Sequence, residues 1–265
     1  MLISMWIAAV VSTACGSEPA KPATEITYFV SIGDSYAAGD SPYGTGAGSK
    51  STDGFAYRTE SALRRNVDEQ WRLINFGCSG ATAEQMVHQP GCDVEAKAHD
   101  GPAYDDVSQV DAAVQFISDH REQVGLVTIV AGGNDVAPCI AEAPPDGVLA
   151  CSETATESAT AALDDMLGKL GGVLDAGVPV VGLSYLNVFV AGEHAEPAAA
   201  VFDGYFNPAL RESYSRSGAR FVEPIATSVD EICALSYYCS DDDPHPNGAG
   251  HQRIADDVRQ AAGIA

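Results

Sequence analysis

The stretch Tyr28–Tyr36 reads YFVSIGDSY, and the interpretation of the whole chain begins there. A short apolar run of strand composition ends at Gly33, and Ser35 opens a segment that can continue as a helix. Such a break places a hydroxyl at the carboxyl edge of a buried strand and at the positive end of a helix dipole. Nearby backbone N–H groups can stabilise an oxyanion there, so Ser35 is a candidate nucleophile. The alternative is that Ser35 only caps a helix.

A second stretch, Asp242–Asn247 (DDPHPN), supplies the groups that a serine nucleophile needs. His245 can act as the general base, and Asp242, placed before it at a spacing of three, can hold its imidazole in one tautomer. The acidic run at 241–243 leaves Asp243 as an alternative orienting acid. We therefore predict a catalytic set of Ser35, Asp242 and His245.

Short motifs along the chain resemble those of the SGNH (GDSL-type) hydrolase family, which includes secreted actinobacterial esterases and lipases. The motifs are Gly33–Ser35, the glycine-containing segment Phe76–Thr82, Gly132–Asp135 and Asp242–Pro246. They occur in family order and extend over nearly the whole chain after its first residues. One departure is Tyr36, where many members carry leucine.

The resemblance also implies a site and a reaction. The oxyanion hole would combine the backbone N–H groups of Ser35 and Gly80 with the side-chain amide of Asn134. The aspartates within these motifs would brace the loops through hydrogen bonds to backbone. The family cleaves carboxylic esters through an acyl-serine intermediate, without a metal or cofactor. Some members orient the histidine with a backbone carbonyl, which is a further alternative for His245.

Short runs rich in Val, Ile or Phe recur at long intervals. They are continuous rather than alternating, which is typical of parallel strands buried on both faces. The runs are Tyr28–Ile32, Arg72–Phe76, Leu126–Ala131, Val178–Tyr185 and Arg220–Val222. With helical patterns between them they predict an α/β fold, a three-layer α/β/α sandwich with a parallel sheet of about five strands. The resemblance implies the same flavodoxin-like SGNH hydrolase fold.

Apolar side chains spaced by three and four predict the helices between those runs. One such stripe is Val107–Ile117, and another is Leu163–Leu174, expected to begin at a capping box near Thr154 and to end near Gly177. Asn247 is expected to cap a last helix, and its inward face would carry Ile254, Ala255 and Val258.

Some stretches fit this pattern poorly and read as loops: Asp40–Asp53, Ala137–Ser152 and Val188–Phe206. The first two follow strands, so they are either rims of a binding crevice or solvated loops. His251 lies inside the predicted last helix, and we expect it to be a solvated or capping side chain.

The composition excludes some classes of partner. Acidic residues outnumber Lys and Arg by 37 to 14, which gives a net charge of −23. Nucleic acid requires a basic surface, so it is not an expected partner, and docking on anionic lipid is disfavoured. With 46% hydrophobic residues the chain can bury a sizeable core, and we assign residues 26–265 to one hydrolase domain.

Residues 1–15 are apolar and end in Ser12–Cys15 (STAC), which predicts a signal peptide ending in a lipobox-like sequence. Cys15 would then be lipid-modified, and residues 16–25 would form a tether. Two features depart from a usual lipobox: Ser12 replaces an aliphatic residue, and no Lys or Arg precedes the apolar run. The alternative is an ordinary signal and soluble secretion. Either reading predicts an extracellular or cell-surface protein.

Seven cysteines less Cys15 leave an even number, which suits disulfides in an oxidising compartment. Many pairings are open from sequence, but sequential pairing closes the shortest loops and resembles the pattern of actinobacterial family members. The sequential pairs are Cys78–Cys92, Cys139–Cys151 and Cys233–Cys239. A metal site is the rival, but no Cys-x-x-Cys occurs and the histidines are scattered, so none is predicted.

These observations predict an exported serine hydrolase that acts on lipid or short-acyl esters. A carbohydrate O-acetylesterase would use the same chemistry on a different alcohol. A non-catalytic surface-binding module on the same fold is the alternative from another class, although a pure binder would not need Ser35, Asn134 and His245 together.

Overall fold

Five parallel strands form a single sheet at the centre of the described chain. The strands are β1 (Ile26–Gly33), β2 (Gln70–Asn75), β3 (Val124–Val130), β4 (Val180–Leu183) and β5 (Arg220–Val222). Their spatial order is β2-β1-β3-β4-β5, and every neighbouring pair is parallel. All the predicted strands are therefore confirmed, with ends that shift by a few residues.

The structure is a computed structural model. It describes residues 25–43, 51–65, 70–144, 146–189 and 195–264. The predicted signal segment, Cys15 and the tether before Glu25 lie outside the described residues. No helix in the described part of the chain combines the length and the apolar composition that a membrane span requires.

Eleven α-helices surround the sheet in the described residues. They are α1 (Ser35–Ala38), α2 (Phe55–Leu63), α3 (Ala83–His88), α4 (Gln109–Asp119), α5 (Gly133–Ala141), α6 (Val148–Gly171), α7 (Ala195–Val201), α8 (Asn207–Arg216), α9 (Val229–Leu235), α10 (Tyr238–Asp241) and α11 (Gly248–Ala262). A 3₁₀ turn (Arg121–Gln123) precedes β3, and a π-helical turn (Phe202–Phe206) joins α7 to α8.

The helices form two layers. The long helix α6 packs against α3, α4, α5 and α8, whereas α2 packs against α11. This division follows from right-handed crossovers. The chain crosses from β1 to β2 in one direction along the sheet and from β2 through β3 and β4 to β5 in the opposite direction, so the connecting helices lie on opposite faces. The three inner strands β1, β3 and β4 are mostly buried on both faces, which explains their continuous apolar composition. The predicted α/β/α sandwich is confirmed.

Two helix predictions need correction. Val107 is 45% exposed and lies before α4, which begins after its cap Ser108. The capping box at Thr154 is wrong, because α6 begins at Val148 and Thr154 lies inside it, with its hydroxyl bonded to the Ala150 carbonyl. The same helix ends at Gly171 rather than near Gly177.

The predicted loop Ala137–Ser152 is also mostly helical, because it contains the end of α5 and the start of α6. A disulfide between Cys139 and Cys151 joins these two helices. In the predicted loop Val188–Phe206, residues 195–206 are helical instead, because they form α7 and the π-helical turn. Prolines and a glycine suggested irregular backbone at these places, but tertiary packing supports helix there.

The end of the chain agrees with its prediction. Asn247 caps α11, with its side-chain oxygen accepting from the N–H groups of Ala249 and Gly250. Ile254, Ala255 and Val258 are buried on the inner side of that helix.

The sequential disulfide scheme is confirmed, with bridges Cys78–Cys92, Cys139–Cys151 and Cys233–Cys239. The six cysteines of the described chain are therefore bonded to one another.

The strand order places a topological switch point between β1 and β3. The chain leaves β1 towards β2 on one side and leaves β3 towards β4 on the other, so a crevice opens at the carboxyl ends of the two strands. Ser35 follows β1, and Asn134 follows β3. Both residues therefore belong to the edge where ligands bind in this class of sheet.

Candidate active site

Ser35 is the first residue of α1, at the turn where β1 ends. Asp34 caps the helix, and its Oδ1 accepts from the Tyr36 N–H at 3.0 Å. This bond fixes the direction in which the chain turns, because a capping carboxylate satisfies an N–H that the first helical turn leaves free. Ser35 is 8% exposed, so most of the residue is buried in this turn.

Gly33, just before this turn, allows β1 and β3 to approach closely. Its φ is +151°, and a Cβ at this position would lie 2.4 Å from the Val130 carbonyl oxygen. The Gln109 side chain then bonds both backbone groups of Gly33, accepting from its N–H at 3.1 Å and donating to its carbonyl at 3.0 Å. The strand end that carries Ser35 is thus bound to α4.

The chain after β2 supports the other side of the turn. Asn75 donates from Nδ2 to the Ala37 carbonyl at 2.7 Å and accepts from the Gly77 N–H at 3.0 Å. Gly77 lies so close to α1 that a Cβ would be 2.5 Å from the Ala38 nitrogen. Sequence reasoning missed Asn75 and Gln109 as supports. A polar residue closing an apolar strand was the one available signal for Asn75.

Besides Ser35, the predicted oxyanion donors are Gly80, in the loop after β2, and Asn134, in the first turn of α5. Asn134 donates from Nδ2 to the Ala81 carbonyl at 3.0 Å, which joins the start of α5 to the loop after β2. Gly80 has a φ of +76°, is exposed, and would have no atom within 4 Å of an added Cβ. Its backbone therefore faces open space, where a substrate can approach.

Asp135 braces the same pair of loops, as predicted. Its Oδ2 accepts from the Ala83 N–H, at the start of α3, at 3.0 Å. Burial raises the pKa of this carboxyl above its ordinary value, although the hydrogen bond from the Ala83 N–H acts against that shift. The carboxylate serves as a cap for the first turn of a neighbouring helix.

His245 is held by Asp243. The imidazole Nδ1 lies 2.7 Å from Asp243 Oδ1, and the His245 backbone N–H donates to the same oxygen at 2.9 Å. Nδ1 therefore carries a proton that it donates to the carboxylate, and Nε2 is the nitrogen left to act as a base. Both side chains are only partly exposed.

The predicted contact from Asp242 is corrected to Asp243. Asp242 ends α10 in the left-handed conformation, with φ +55°, and its side chain is exposed. Its N–H is used to close the helix on the Tyr238 carbonyl. The chain reverses at this residue, so the acid next along the chain, and not the one at a spacing of three, meets the imidazole.

The pair shifts both pKa values. Burial lowers the pKa of His245, but the hydrogen bond to Asp243 and the negative charges of Asp243, Asp40 and Asp34 outweigh it, so the net pKa is raised above 6.5. The hydrogen bond from His245 lowers the pKa of Asp243 despite partial burial. The carboxylate thus stays ionised and stabilises an imidazolium.

The segment around His245 rests on the loop that the last disulfide closes. Tyr237 donates its N–H to the His245 carbonyl at 3.0 Å, and Asn247 donates its N–H to the Leu235 carbonyl at 3.0 Å. Both bonds connect the segment that contains His245 to residues 233–239, which the Cys233–Cys239 bridge closes into a loop.

Tyr36 joins the two halves of the site. Its hydroxyl donates to the Pro244 carbonyl at 3.4 Å, and its ring centroid lies 6.2 Å from that of His245. Because Tyr36 is the residue after Ser35, this contact brings the histidine loop beside the serine turn. The tyrosine that stands here in place of the family's leucine therefore connects the two segments through its hydroxyl.

His251 is buried, against the prediction of a solvated or capping side chain. Its Nδ1 accepts from the Phe55 N–H at 3.2 Å, at the start of α2. Burial lowers its pKa to about 3, so the ring is neutral and joins α11 to α2. It belongs to the packing between helices.

Two cavities flank Gly80. The first, of about 680 Å³, adjoins His245 and Asp243 and includes Asp40 and Glu95 in its lining. The second, of about 620 Å³, lies on the side of α3 and includes Met86, Pro90 and the Cys78–Cys92 bridge in its lining. Four carboxylates line the first cavity, whereas the second combines two, Asp93 and Asp105, with apolar and uncharged polar groups.

The doubly wound sheet, with its serine turn at the switch point, defines an α/β protein with a flavodoxin-like fold. Within that class, the chain belongs to the GDSL-like lipase/acylhydrolase family, whose sequence model matches residues 31–253. The resemblance stated from the motifs is thereby confirmed. No curated protein matches the chain.

Solved structures share the fold. One is the extracellular lipase from Streptomyces rimosus, with a TM-score of 0.59 and 19% identity over 89% of this chain and 99% of that chain. Another is the acetylxylan esterase Axe2 from Geobacillus stearothermophilus, with a TM-score of 0.57 and 18% identity over 90% and 95%. A third is phospholipase A1 from Streptomyces albidoflavus NA297, with a TM-score of 0.57 and 16% identity over 89% and 99%.

Proposed function

We propose that this chain is an exported serine hydrolase that cleaves carboxylic esters through an acyl-enzyme on Ser35. One observation carries the proposal. The Asp243–His245 pair, with the geometry of a general base and its orienting acid, is joined through Tyr36 to the turn that bears Ser35. A binding module would not require this pairing.

The roles follow from the chemistry of ester cleavage. His245 Nε2 accepts the Ser35 proton as the hydroxyl attacks the ester carbonyl, and the imidazolium then protonates the departing alkoxide. Water repeats the sequence to release the acid. The N–H groups of Ser35 and Gly80 and the second amide hydrogen of Asn134 would stabilise the oxyanion, each donor being worth about 2.7–4 kcal/mol in the transition state.

The general acid must face the leaving oxygen, so the alcohol would occupy the cavity beside His245. The acyl group would then extend past Gly80 into the cavity lined by Met86 and Pro90. Carboxylates around the alcohol cavity, Asp40 and Glu95 among them, disfavour anionic alcohols and anionic lipid headgroups. Uncharged short-acyl or lipid esters are the leading substrates.

A carbohydrate O-acetylesterase is the second candidate. It is favoured by the polar lining of the cavity beside His245, where Ser41, Ser79 and several carboxylates offer hydrogen-bond partners for sugar hydroxyls. An acetyl group would fill little of the cavity next to Met86.

A fluorophosphonate probe and a substrate panel test these proposals. Covalent labelling at Ser35, absent in Ser35→Ala, is expected. An unlabelled wild type would instead support the non-catalytic binding module. Among nitrophenyl esters of increasing chain length, neutral and anionic phospholipids and acetylated sugars, the highest kcat/KM assigns the substrate class.

Export is proposed on separate grounds. The disulfides suit an oxidising compartment. We further propose that Cys15 is lipidated, because it is left over when the other cysteines pair. Detergent-phase partitioning of the native protein, lost in Cys15→Ser, is the expected result. Recovery of a soluble wild type that begins beyond Cys15 would favour simple secretion.

A further inference from the structure

Tyr185 contacts both loops that carry the proposed catalytic groups. It follows β4 and is buried, and its hydroxyl donates to Asp34 Oδ2 at 2.5 Å. Its ring lies directly on Gly133, where an added Cβ would be 2.6 Å from ring carbons. One side chain therefore touches the residue before Ser35 and the residue before Asn134.

We propose that Tyr185 is a positioning residue that sets the serine turn relative to the oxyanion loop. Ser35 and Asn134 must meet the same carbonyl carbon and oxygen, yet they follow different strands. The Tyr185 side chain is held between the two segments, because its hydroxyl is bonded to the Asp34 carboxylate and its ring packs against Gly133. The inference rests on the roles proposed above for Ser35 and Asn134.

The hydroxyl of Tyr185 has a specific task in this arrangement. Asp34 is buried, and its other oxygen already accepts from the Tyr36 N–H. The pKa of Asp34 is raised to about 7, chiefly by burial and also by the charge of Asp40, even though the bonds from Tyr185 and the Tyr36 N–H and the charge of His245 act to lower it. Without the phenol, the carboxyl would lose a donor in a buried place, and the serine turn would have to adjust.

A matched control separates positioning from general packing. Tyr214 is also fully buried, its hydroxyl donates to the Ile129 carbonyl at 3.3 Å, and its ring covers Gly182. It lies on α8 and contacts neither catalytic loop in the ways described for Tyr185. Loss of its hydroxyl removes one buried hydrogen bond without touching the serine turn.

The experiment compares Tyr185→Phe and Tyr214→Phe with the wild type. It measures kcat and KM on a soluble nitrophenyl ester, the rate of fluorophosphonate labelling at Ser35, and the melting temperature. For Tyr185→Phe, kcat and the labelling rate should both fall about tenfold or more with KM within about twofold, because misplaced reacting groups lower the rate of the chemical step. Tyr214→Phe should keep kcat and the labelling rate, while the melting temperatures of the two variants fall alike.

Asp34→Asn provides a second variant if Tyr185→Phe does not fold. Asparagine has one acceptor oxygen, so it cannot accept from both the Tyr36 N–H and the Tyr185 hydroxyl as the carboxylate does, and a loss of kcat is expected. Retention of kcat and labelling within twofold in Tyr185→Phe would overturn the inference, as would an equal loss in Tyr214→Phe. Labelling of the wild type is measured before the variants are compared. A wild type that does not label at Ser35 would overturn the proposed function instead.

Discussion

The turn that carries Ser35 and the loop that carries His245 are supported in different ways. Residues far away in sequence support the turn: Gln109 bonds Gly33, and Asn75 bonds the first turn of α1. Near neighbours support the loop, since Asp243 bonds the imidazole and the loop of Cys233–Cys239 bonds the backbone. Long-range contacts therefore position the proposed nucleophile, whereas local loop structure positions the proposed base.

The largest expected effect lies at the two reacting groups themselves. Ser35→Ala should lower kcat by about 10³-fold or more, and His245→Ala should match it, because members of one catalytic unit are not additive. The double variant should be no slower than either single one. Ester hydrolysis assays with circular dichroism as a folding control provide the measurement, and activity of Ser35→Ala within tenfold of the parent would refute the assignment.

The next effect concerns stability and tests the close packing below the serine turn. Gly33→Ala should lower the free energy of unfolding by about 3 kcal/mol or more, because its Cβ would meet the Val130 carbonyl. Gly80→Ala is the matched change at another left-handed glycine with open space, and should cost only about 1 kcal/mol. Urea unfolding measures both, and equal losses would contradict the packing argument.

A smaller effect separates the two candidate acids on the histidine loop. Asp243→Asn should lower kcat about 10²-fold, since a neutral amide no longer stabilises the imidazolium. Asp242→Asn should stay within about twofold of the parent, because asparagine tolerates the left-handed conformation and the side chain is exposed. A greater loss in Asp242→Asn would restore the acid predicted by the family spacing.

The pH dependence of kcat/KM sharpens the same comparison. The base must be neutral, and the pKa of His245 is raised above 6.5, so activity should fall as the pH drops through that raised value. Asp243→Asn removes the main cause of the increase, so the acid limb should move to lower pH. An unchanged limb in this variant would mean that another group orients or charges the imidazole.

The smallest expected effect is at the loop disulfide. Replacing Cys233 and Cys239 by serine should lower kcat by less than about tenfold, because hydrogen bonds from Tyr237 and Asn247 still support the histidine segment. Replacing Cys139 and Cys151, which join α5 to α6, is the matched control and should leave kcat unchanged. A full loss of activity in the first variant would show that the base depends on the bridge itself.

The sequence predicted those features that depend on local pattern. Continuous apolar runs identified the strands, because strands buried on both faces leave no polar alternation. The positions of Ser35, Asn134 and His245 followed from motifs next to strand ends and a helix cap. The start of α6 was missed, since the prolines just before it suggested a loop and Gly147 gives no side-chain cap.

By itself, the sequence determined the strands and the order of the motifs, because each depends on composition or short spacing. The sequential cysteine pairs were preferred from short loops together with the family resemblance, and the structure confirmed them. Only the tertiary structure decided that Asp243 rather than Asp242 meets His245, that His251 is buried against α2, and that Gln109 and Tyr185 support the serine turn. These contacts depend on where the backbone reverses and which loops meet at the sheet edge. Such geometry arises from packing between distant segments, and no local pattern of residues encodes it.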